Sequence, residues 1–402
     1  MALGIYIQVP FCQTKCTYCN FHTGVVSRDR YEPYANAVCS EIEAAGNGRL
    51  KSDAVGESGG GSAVKLIVDT IYFGGGTPSL LAPGALARIL DALHANFRMV
   101  DEGEREVTLE ADPETITAEK AAAWHEAGFN RISLGAQSFD DRELMAAGRM
   151  HRRADIYTAV ETLRRAEIAN ISMDLIAGLP HQTWESWESS VDELLALRPE
   201  HVSIYMLEID EGSRLGKESL SGGWRYSAGA IPSDDAMAEF YESACARLAE
   251  AGYEHYEISN WALPGFRSRH NLKYWRREPY FGFGAGAHSF DVQMRWANVH
   301  DSARYVACIE QGTSTREQVE ALTTEQALDE ELFLGLRQLE GIDFTHIERA
   351  YGSNGQRARI EAVRERINAL REQGLVEFDG NRLRLAPDRL TVSNEVFEAL
   401  LE

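Results

Sequence analysis

The feature that most limits the fold is a regular alternation of short apolar segments with amphipathic segments in the first part of the chain. Six segments have the composition of buried strands: Ile5–Val9, Thr70–Phe73, Glu106–Glu110, Arg131–Leu134, Ile171–Ile176 and His201–Leu207. Segments with helical periodicity follow them: Arg30–Ala45, Pro83–Phe97, Thr117–Ala127, Ala154–Ala166, Thr183–Leu197 and Ser233–Ala251. This alternation predicts an α/β protein with a parallel sheet. Six units are too few to close an eight-stranded barrel, so we expect a partial (β/α)6 barrel with functional residues at the C-terminal strand ends.

Three of the six cysteines, Cys12, Cys16 and Cys19, come directly after the first predicted strand. Their spacing allows one short loop to place three thiolates around a single centre. Thiolates hold iron–sulfur clusters, and three ligands on a [4Fe–4S] cluster leave one iron open to a small molecule. A zinc site completed by His22 is the alternative. We favour the cluster, because a zinc site would explain none of the other motifs.

Net charge, the length of apolar runs and the N-terminal sequence argue against several classes of protein. The chain has 40 basic and 62 acidic residues and a net charge of −22, which disfavours nucleic-acid binding. No apolar run approaches the ~20 residues that span a bilayer. The N-terminal sequence MALGIYIQVPFC lacks the basic segment of a signal peptide. We therefore expect a cytoplasmic protein that is not an integral membrane protein.

The CxxxCxxC motif after the first strand resembles the radical S-adenosylmethionine (SAM) superfamily. In that superfamily, SAM chelates the open iron, and one-electron reduction of SAM releases a 5′-deoxyadenosyl radical. The resemblance implies that Cys12, Cys16 and Cys19 bind a [4Fe–4S] cluster and that SAM is a second cofactor.

Further motifs at the predicted strand ends, GGGTPS, LEADP, LGAQSF, GRMH and MDLIAGLP, resemble the coproporphyrinogen III oxidase-like branch of the superfamily. Taken singly, each polar residue in them is equally well explained by packing, and the glycines lack the GxxxxGK[ST] pattern of a phosphate loop. In the branch, equivalent positions contact one or two SAM molecules. The resemblance implies these SAM contacts: Tyr6, Tyr18, Gly75, Gly76, Thr77, Glu110, Gln137, Arg149 and Asp174.

The segment HNLKYW, which begins at His270, contains a histidine beside aromatic residues. Such a histidine can ligate heme iron, or it can be packed into a Tyr/Trp corner without a ligand. HNxxYW resembles the heme-chaperone members of the branch, which implies that His270 contacts heme. His288, in GFGAGAHSF, is a weaker second candidate.

Two departures distinguish the chain from the oxygen-independent coproporphyrinogen III dehydrogenases of the branch. Those enzymes resemble it but carry CxxxCxxCxC, where this chain has Phe21, and they have an extension ahead of the cluster. We therefore expect a chaperone that binds heme and passes it to acceptor hemoproteins, such as membrane respiratory enzymes, with no catalytic residue assigned. The alternative is a dehydrogenase that makes protoporphyrinogen IX by SAM-dependent radical decarboxylation of coproporphyrinogen III. A zinc-stabilised structural or DNA-associated protein is a third hypothesis, which the acidic charge disfavours.

The C-terminal pattern changes to three helices, Glu325–Gln338, Asp343–Tyr351 and Gln356–Gln373, followed by the strand pair Val376–Phe378 and Arg382–Leu385. This pattern resembles a winged-helix module, but ten basic against sixteen acidic residues after position 321 make a poor DNA reader. We predict a radical SAM core over 1–232, a barrel-completing segment with HNxxYW over 233–321 and a mostly helical, winged-helix-like domain over 322–402. The Gly/Ser-rich stretch 46–63 is predicted to be a solvated insertion.

Overall fold

The computed structural model of the protein describes residues 2–46, 66–352 and 355–401. The predicted insertion at 46–63 therefore lies, apart from Gly46, outside the described residues. A sheet of thirteen strands forms the centre of the described structure. In chain order its strands are β1 (Leu3–Val9), β2 (Ile67–Gly75), β3 (Arg98–Met99), β4 (Glu106–Ala111), β5 (Arg131–Gln137), β6 (Asn170–Ala177), β7 (His201–Met206), β8 (Glu254–Glu257), β9 (Asn260–Ala262), β10 (Tyr280–Phe283), β11 (His288–Phe290), β12 (Met294–Asn298) and β13 (Arg316–Ala321).

The strand order is β13-β12-β11-β10-β1-β2-β4-β5-β6-β7-β9-β8, with β3 beside β2. The six predicted strands, β1, β2, β4, β5, β6 and β7, are parallel neighbours. The predicted partial barrel is thus confirmed. A seventh parallel strand that we did not predict, β10, pairs with the other edge of β1. The antiparallel strands β11–β13 continue the sheet beyond β10, and β9 and β8 continue it beyond β7.

Fourteen helices surround the strands in the described residues. They are α1 (Tyr31–Gly46), α2 (Pro83–Asn96), α3 (Ala118–Glu126), α4 (Asp141–Ala146), α5 (Arg153–Arg165), α6 (Trp184–Leu197), α7 (Arg214–Leu220), α8 (Asp234–Glu250), α9 (Arg269–Trp275), α10 (Ser302–Glu310), α11 (Thr324–Gly335), α12 (Phe344–Gly352), α13 (Arg357–Glu372) and α14 (Ser393–Leu401). Helices α6 and α11 begin with capping boxes, in which Thr183 and Thr323 accept bonds from the backbone amides of Ser186 and Gln326. None of the helices in the described ranges has both the length and the apolar character needed to cross a membrane.

The C-terminal part is mostly helical, as predicted. Helices α11–α14 accompany a three-stranded antiparallel sheet in the order β14 (Ile342–Asp343), β16 (Arg382–Leu385) and β15 (Val376–Phe378). The last two strands have the predicted bounds. Helix α11 also packs against α9, so the helical part contacts the HNLKYW segment directly.

Candidate active site at the C-terminal strand ends

The three predicted cluster cysteines lie in a loop that follows β1. The amide of Cys12 donates to the carbonyl of Gly24 (3.0 Å), which closes the loop on itself. The amide of Thr17 donates to the carbonyl of Ala147 (3.0 Å), which ties the loop to the turn after α4. All three cysteines are free and half-buried. The loop therefore holds its thiols in place while leaving them accessible to a ligand.

The donor set of this loop fits an iron–sulfur cluster. The pKa of Cys12 is raised to about 11, chiefly by burial and in part by the negative charges of Cys19 and Cys16, so three thiolates are unfavourable here without a cation. The positive charge of bound iron would instead favour the thiolate forms of the three cysteines. His22, the fourth ligand in the zinc alternative, packs with its ring 4.5 Å from the ring of His300. In the described part of the chain, no three His, Cys, Asp or Glu residues are arranged to hold a single metal ion.

The glycine-rich turn after β2 packs directly on the cysteine loop. The amide of Gly76 donates to the carbonyl of Val9 (2.8 Å), and the amide of Thr77 donates to the carbonyl of Phe11 (2.7 Å). A Cβ atom on Gly76 would lie 2.4 Å from that Phe11 oxygen. Glycine at position 76 therefore permits the close approach of two backbones. Contact of Gly75, Gly76 and Thr77 with SAM stays a prediction.

Two half-buried carboxyl groups lie on neighbouring parts of the sheet, Glu110 near the end of β4 and Asp174 in the middle of β6. Glu110 accepts bonds from the Tyr72 hydroxyl (2.8 Å) and the Gly75 amide (3.1 Å). The pKa of Glu110 is raised to about 7, chiefly by burial and in part by the charge of Asp174. Burial likewise raises the pKa of Asp174 to about 6, although the Ser203 hydroxyl opposes the shift. Groups that titrate near neutrality can donate or accept hydrogen bonds, which suits them to ribose hydroxyls or an ammonium group.

A charged network joins the strand ends to the cysteines. Arg149 forms an ion pair with Asp112 and donates to the carbonyl of Gly135 (2.9 Å). Another guanidinium nitrogen of Arg149 lies 3.5 Å from the Sγ of Cys16. Asp112 in turn accepts a bond from the Thr77 hydroxyl (3.0 Å). The network thus holds the permanently charged guanidinium of Arg149 beside the thiol of Cys16.

The remaining predicted SAM residues belong to the same constellation. The ring of Tyr6 stacks 6.0 Å from that of Tyr72, the partner of Glu110. Tyr18 lies close enough to Arg149 for the guanidinium charge to lower its pKa, although burial raises it well above the ordinary value. Gln137 ends β5 with a left-handed φ of 66°, a strained conformation of the kind that is common at functional sites. Their contact with SAM stays a prediction.

Sequence reasoning missed three residues of this constellation. Asp112 was present in the quoted LEADP motif, but only its neighbour Glu110 was singled out. Tyr72 looked like an ordinary strand aromatic. Arg131 is 1% exposed, and its Nε has no hydrogen-bond acceptor among the described residues. A charged residue at the start of an otherwise apolar strand was the signal that could have identified it.

His270 is buried within the protein rather than presented to a ligand. Its Nδ1 shares a hydrogen bond with the Thr70 hydroxyl and its Nε2 with the Tyr274 hydroxyl, each 2.9 Å long. The pKa of His270 is lowered to about 3, chiefly by burial and in part by the nearby charges of Lys273 and Arg131. A heme iron would reach Nε2 only after displacement of Tyr274. Ligation of heme by His270 stays a prediction.

His288, the second candidate, has different surroundings. It is exposed at the start of β11 and lines a cavity of about 290 Å³ between α9, α11 and the β10–β12 strands, which we call the α9–α11 cavity. The protein around the cavity removes part of the water from the His288 ring and so lowers its pKa, as do the charges of His300, Arg295 and His22. Other residues of the cavity wall are Tyr274, Arg277, Tyr280, Phe290 and Arg295.

Comparison with known proteins gives a consistent result. The sequence profile of the radical SAM superfamily matches residues 6–194, and that of the HemN C-terminal domain matches residues 322–388. The chain is 33% identical to the heme chaperone HemW of Bacillus subtilis over 98% of each protein. It is 32% identical to the mitochondrial radical S-adenosyl methionine domain-containing protein 1 of Bos taurus, over 99% of this chain and 87% of that protein.

Among solved structures, coproporphyrinogen III oxidase (HemN) of Escherichia coli, a radical SAM enzyme, resembles the chain with a TM-score of 0.81. The sequence identity is 20%, and the match covers 99% of this chain and 90% of that one. At this identity the likeness shows a shared fold.

Proposed function

The chain belongs to the HemW family of the radical SAM superfamily, and from this membership we propose that it is a heme chaperone, which binds heme and transfers it to acceptor hemoproteins. The observation that carries the proposal is similarity over 98% of the chain to a relative named as a heme chaperone. The acceptors, among which we include membrane respiratory enzymes, and a cytoplasmic location are parts of the same proposal.

Phe21 supports the chaperone over the dehydrogenase. It stands where the decarboxylating enzymes of the branch carry a further cysteine, and its side chain is 66% exposed at the end of the cysteine loop. An apolar ring in that position supplies neither a thiolate nor a proton.

Membership in the superfamily implies a [4Fe–4S] cluster and SAM as cofactors. When bound, the cluster supplies an electron for the reduction of SAM. In our proposal Cys12, Cys16 and Cys19 hold the cluster, and Arg149 balances the thiolate charge of Cys16. Glu110 is oriented by Tyr72 and Gly75 to bond a polar group of SAM.

The test is a side-by-side anaerobic measurement on the full-length, cluster-reconstituted protein. Heme is titrated by absorbance, and decarboxylation of coproporphyrinogen III is followed with SAM and a reductant, with E. coli HemN as the positive control. We expect stable heme binding and no protoporphyrinogen IX. Transfer is measured with an apo-cytochrome, which should acquire heme faster than a passive heme scavenger does. Turnover of the porphyrinogen would overturn the chaperone assignment in favour of the dehydrogenase.

A further inference from the structure

We propose that heme binds at the α9–α11 cavity, with His288 as the ligand of the iron and Arg277 and Arg295 as partners of the propionates. The inference rests on the proposed chaperone function, because it assigns a site to the ligand of that function. It differs from the sequence-based expectation that His270 is the ligand.

The walls of the cavity suit a flat aromatic ligand. The rings of Tyr274 and Tyr280 meet edge to face with centroids 4.7 Å apart, and Phe290 lies 6.1 Å from Tyr280. Aromatic side chains bury large apolar areas at little conformational cost. Tyr274 comes from HNLKYW and Phe290 from GFGAGAHSF, so the two distinctive motifs that the SAM constellation leaves unused meet at this cavity.

Two guanidinium groups of the cavity wall have unused donors. The side chain of Arg277 is 9% exposed, and its buried Nη2 has no acceptor in the part of the chain that the structure describes. The Nε of Arg295 is likewise buried and has no acceptor there. Glu330 already bonds to both groups, at 3.0 Å and 2.9 Å. Arg277 also lies 4.0 Å from a carboxylate oxygen of Glu331 and donates to the Tyr351 hydroxyl (3.4 Å). A propionate would bind the two guanidinium groups in competition with these partners, and paired carboxylates match the guanidinium fork.

The backbone at Arg277 is held in an unfavourable conformation. Its φ is 49°, in the left-handed region, directly after the C-terminal end of α9. For a residue other than glycine this conformation costs energy and persists where the surrounding structure enforces it. The guanidinium also lies over the Phe290 ring, 5.3 Å from its centroid, and Arg295 lies 5.2 Å from the same centroid. Both cations are thereby fixed beside one aromatic wall.

His288 has the free imidazole that His270 lacks. It is exposed at the cavity, and no described residue hydrogen-bonds to its ring, whereas both nitrogens of His270 are engaged. The ring of His300 lies 6.5 Å from that of His288. A neutral imidazole nitrogen without a partner is the usual protein ligand of heme iron.

The cavity is too small to enclose a whole heme, which suits a ligand that must be transferred to another protein. At about 290 Å³ it lies at the lower limit of pockets that enclose drug-sized molecules. We infer that it takes the propionate edge of the macrocycle and leaves the opposite edge exposed beyond His288. Partial exposure allows an acceptor protein to contact the heme before the chaperone releases it.

The experiment measures three ligands on the anaerobically reconstituted full-length protein: heme, heme dimethyl ester and iron-free protoporphyrin IX. The variants are His288→Ala, His270→Ala and the double variant Arg277→Gln/Arg295→Gln. His125→Ala and Arg165→Ala are the controls, since His125 is exposed on α3 and the side chain of Arg165 is 77% exposed on α5. Cluster content and the melting temperature of each variant are recorded as measures of folding.

We expect His288→Ala to change the absorbance spectrum of bound heme and to weaken heme about tenfold, with protoporphyrin IX affinity unchanged. The double arginine variant should weaken heme about a hundredfold and abolish its preference over the dimethyl ester. This preference is a ratio within one variant, so it stays meaningful even if the variant is less stable.

The outcomes separate this inference from the proposed function. If the unaltered protein binds no heme, the chaperone proposal fails and the site fails with it. If the unaltered protein binds heme but the His288 and arginine variants behave like the controls, the cavity assignment is overturned and the chaperone proposal stands. If His270→Ala is the only variant that abolishes the difference in affinity between heme and iron-free protoporphyrin IX, the axial ligand is His270 and our assignment is wrong.

Discussion

The hydroxyl of Tyr274 lies 2.9 Å from the Nε2 of His270, and the ring of Tyr274 lines the α9–α11 cavity, whereas His270 is buried against Thr70. The HNxxYW segment therefore reaches the cavity through its tyrosine. In this arrangement the histidine positions the tyrosine. Two strands of the central sheet position the histidine in turn, β2 through the Thr70 hydroxyl and β4 through the carboxylate of Glu106, which accepts a bond from the His270 amide (3.0 Å).

We predict that His270→Ala weakens heme binding severalfold and leaves the cluster intact. The substitution leaves the Thr70 and Tyr274 hydroxyls without their partner, which costs about 3 kcal/mol of folding stability and loosens the Tyr274 ring. Heme titration, iron analysis and thermal unfolding measure the three effects, with His125→Ala as the control. Unchanged heme affinity would show that the Tyr274–His270 contact has no part in binding.

Arg149→Lys should make the cluster easier to lose. Lysine keeps the charge but cannot contact Asp112, the Gly135 carbonyl and Cys16 at the same time, as the guanidinium does. We expect loss of the cluster to a chelator several times faster than in the unaltered protein, followed by absorbance and iron release. Arg142→Ala, an exposed arginine on the neighbouring α4, should leave the rate unchanged.

Gly76→Ala should displace the cysteine loop. The new Cβ would lie 2.4 Å from the Phe11 carbonyl oxygen, a contact that backbone must move to relieve. We expect a loss of at least about 2 kcal/mol in stability and a low cluster content after reconstitution. Gly84→Ala is the matched control, because Gly84 is exposed in the first turn of helix α2 and no atom from outside its own helix lies within 4 Å of the added Cβ. Equal cluster content in both variants would contradict the packing argument.

The stability of the ligand-free chain should fall as the pH rises from about 4.5 to about 7, in part because of Glu110. Its pKa is raised by burial to about 7 from an ordinary value of 4.5, so the folded state holds a proton that the unfolded state releases. The contribution is complete below pH 4.5 and is lost as the pH passes 7. Glu110→Gln should remove about 3 kcal/mol of this dependence, measured by chemical unfolding at several pH values. An identical pH profile for the variant would show that Glu110 is not the group responsible.

Glu330→Gln should strengthen heme binding severalfold without changing the affinity for heme dimethyl ester. Glu330 bonds to Arg277 and Arg295 and competes with the propionates for them. Glutamine retains an oxygen that can accept their hydrogen bonds but has no charge. The guanidinium groups therefore stay in position, and their electrostatic attraction for a propionate increases. Titrations with heme and with heme dimethyl ester measure the two affinities. Weaker heme binding in this variant would mean that the carboxylate is needed to orient the arginines.

The strand and helix pattern predicted the parallel half of the fold because each of those strands is buried on both faces. Ile5, Ile71 and Leu109 are fully buried, and such continuous apolar runs are visible in the sequence. Strand β10 escaped prediction because its sequence, YFGF, is short and interrupted by glycine. Its place beside β1 depends on a contact between residues far apart in the chain, which local patterning does not encode.

The candidate site was predictable in part. Its cysteines stand close together in the sequence, and Glu110 and Asp174 come from motifs at strand ends. The residues that interact with them could not be recognised in this way, because they lie far away in the sequence. Asp112, the ion-pair partner of Arg149, is 37 positions from it, and Arg131, which lowers the pKa of Asp174, belongs to a different strand. His270 was assigned a ligand role because the sequence does not reveal that Thr70, 200 positions earlier, occupies one of its nitrogens.

The pairing of β1 with β10 sets an order of events during biosynthesis. Gly4 is paired in register with Tyr280, and its amide donates to the carbonyl of Pro279 (3.1 Å), so one edge of β1 has no partner until those distant residues leave the ribosome. At 5–20 residues per second, this takes roughly 15–60 s. For that time the nascent chain exposes an open strand edge, the kind that invites pairing with other chains. The sheet beside the cysteine loop is therefore completed only late in translation, when β10 has been synthesised and has paired with β1.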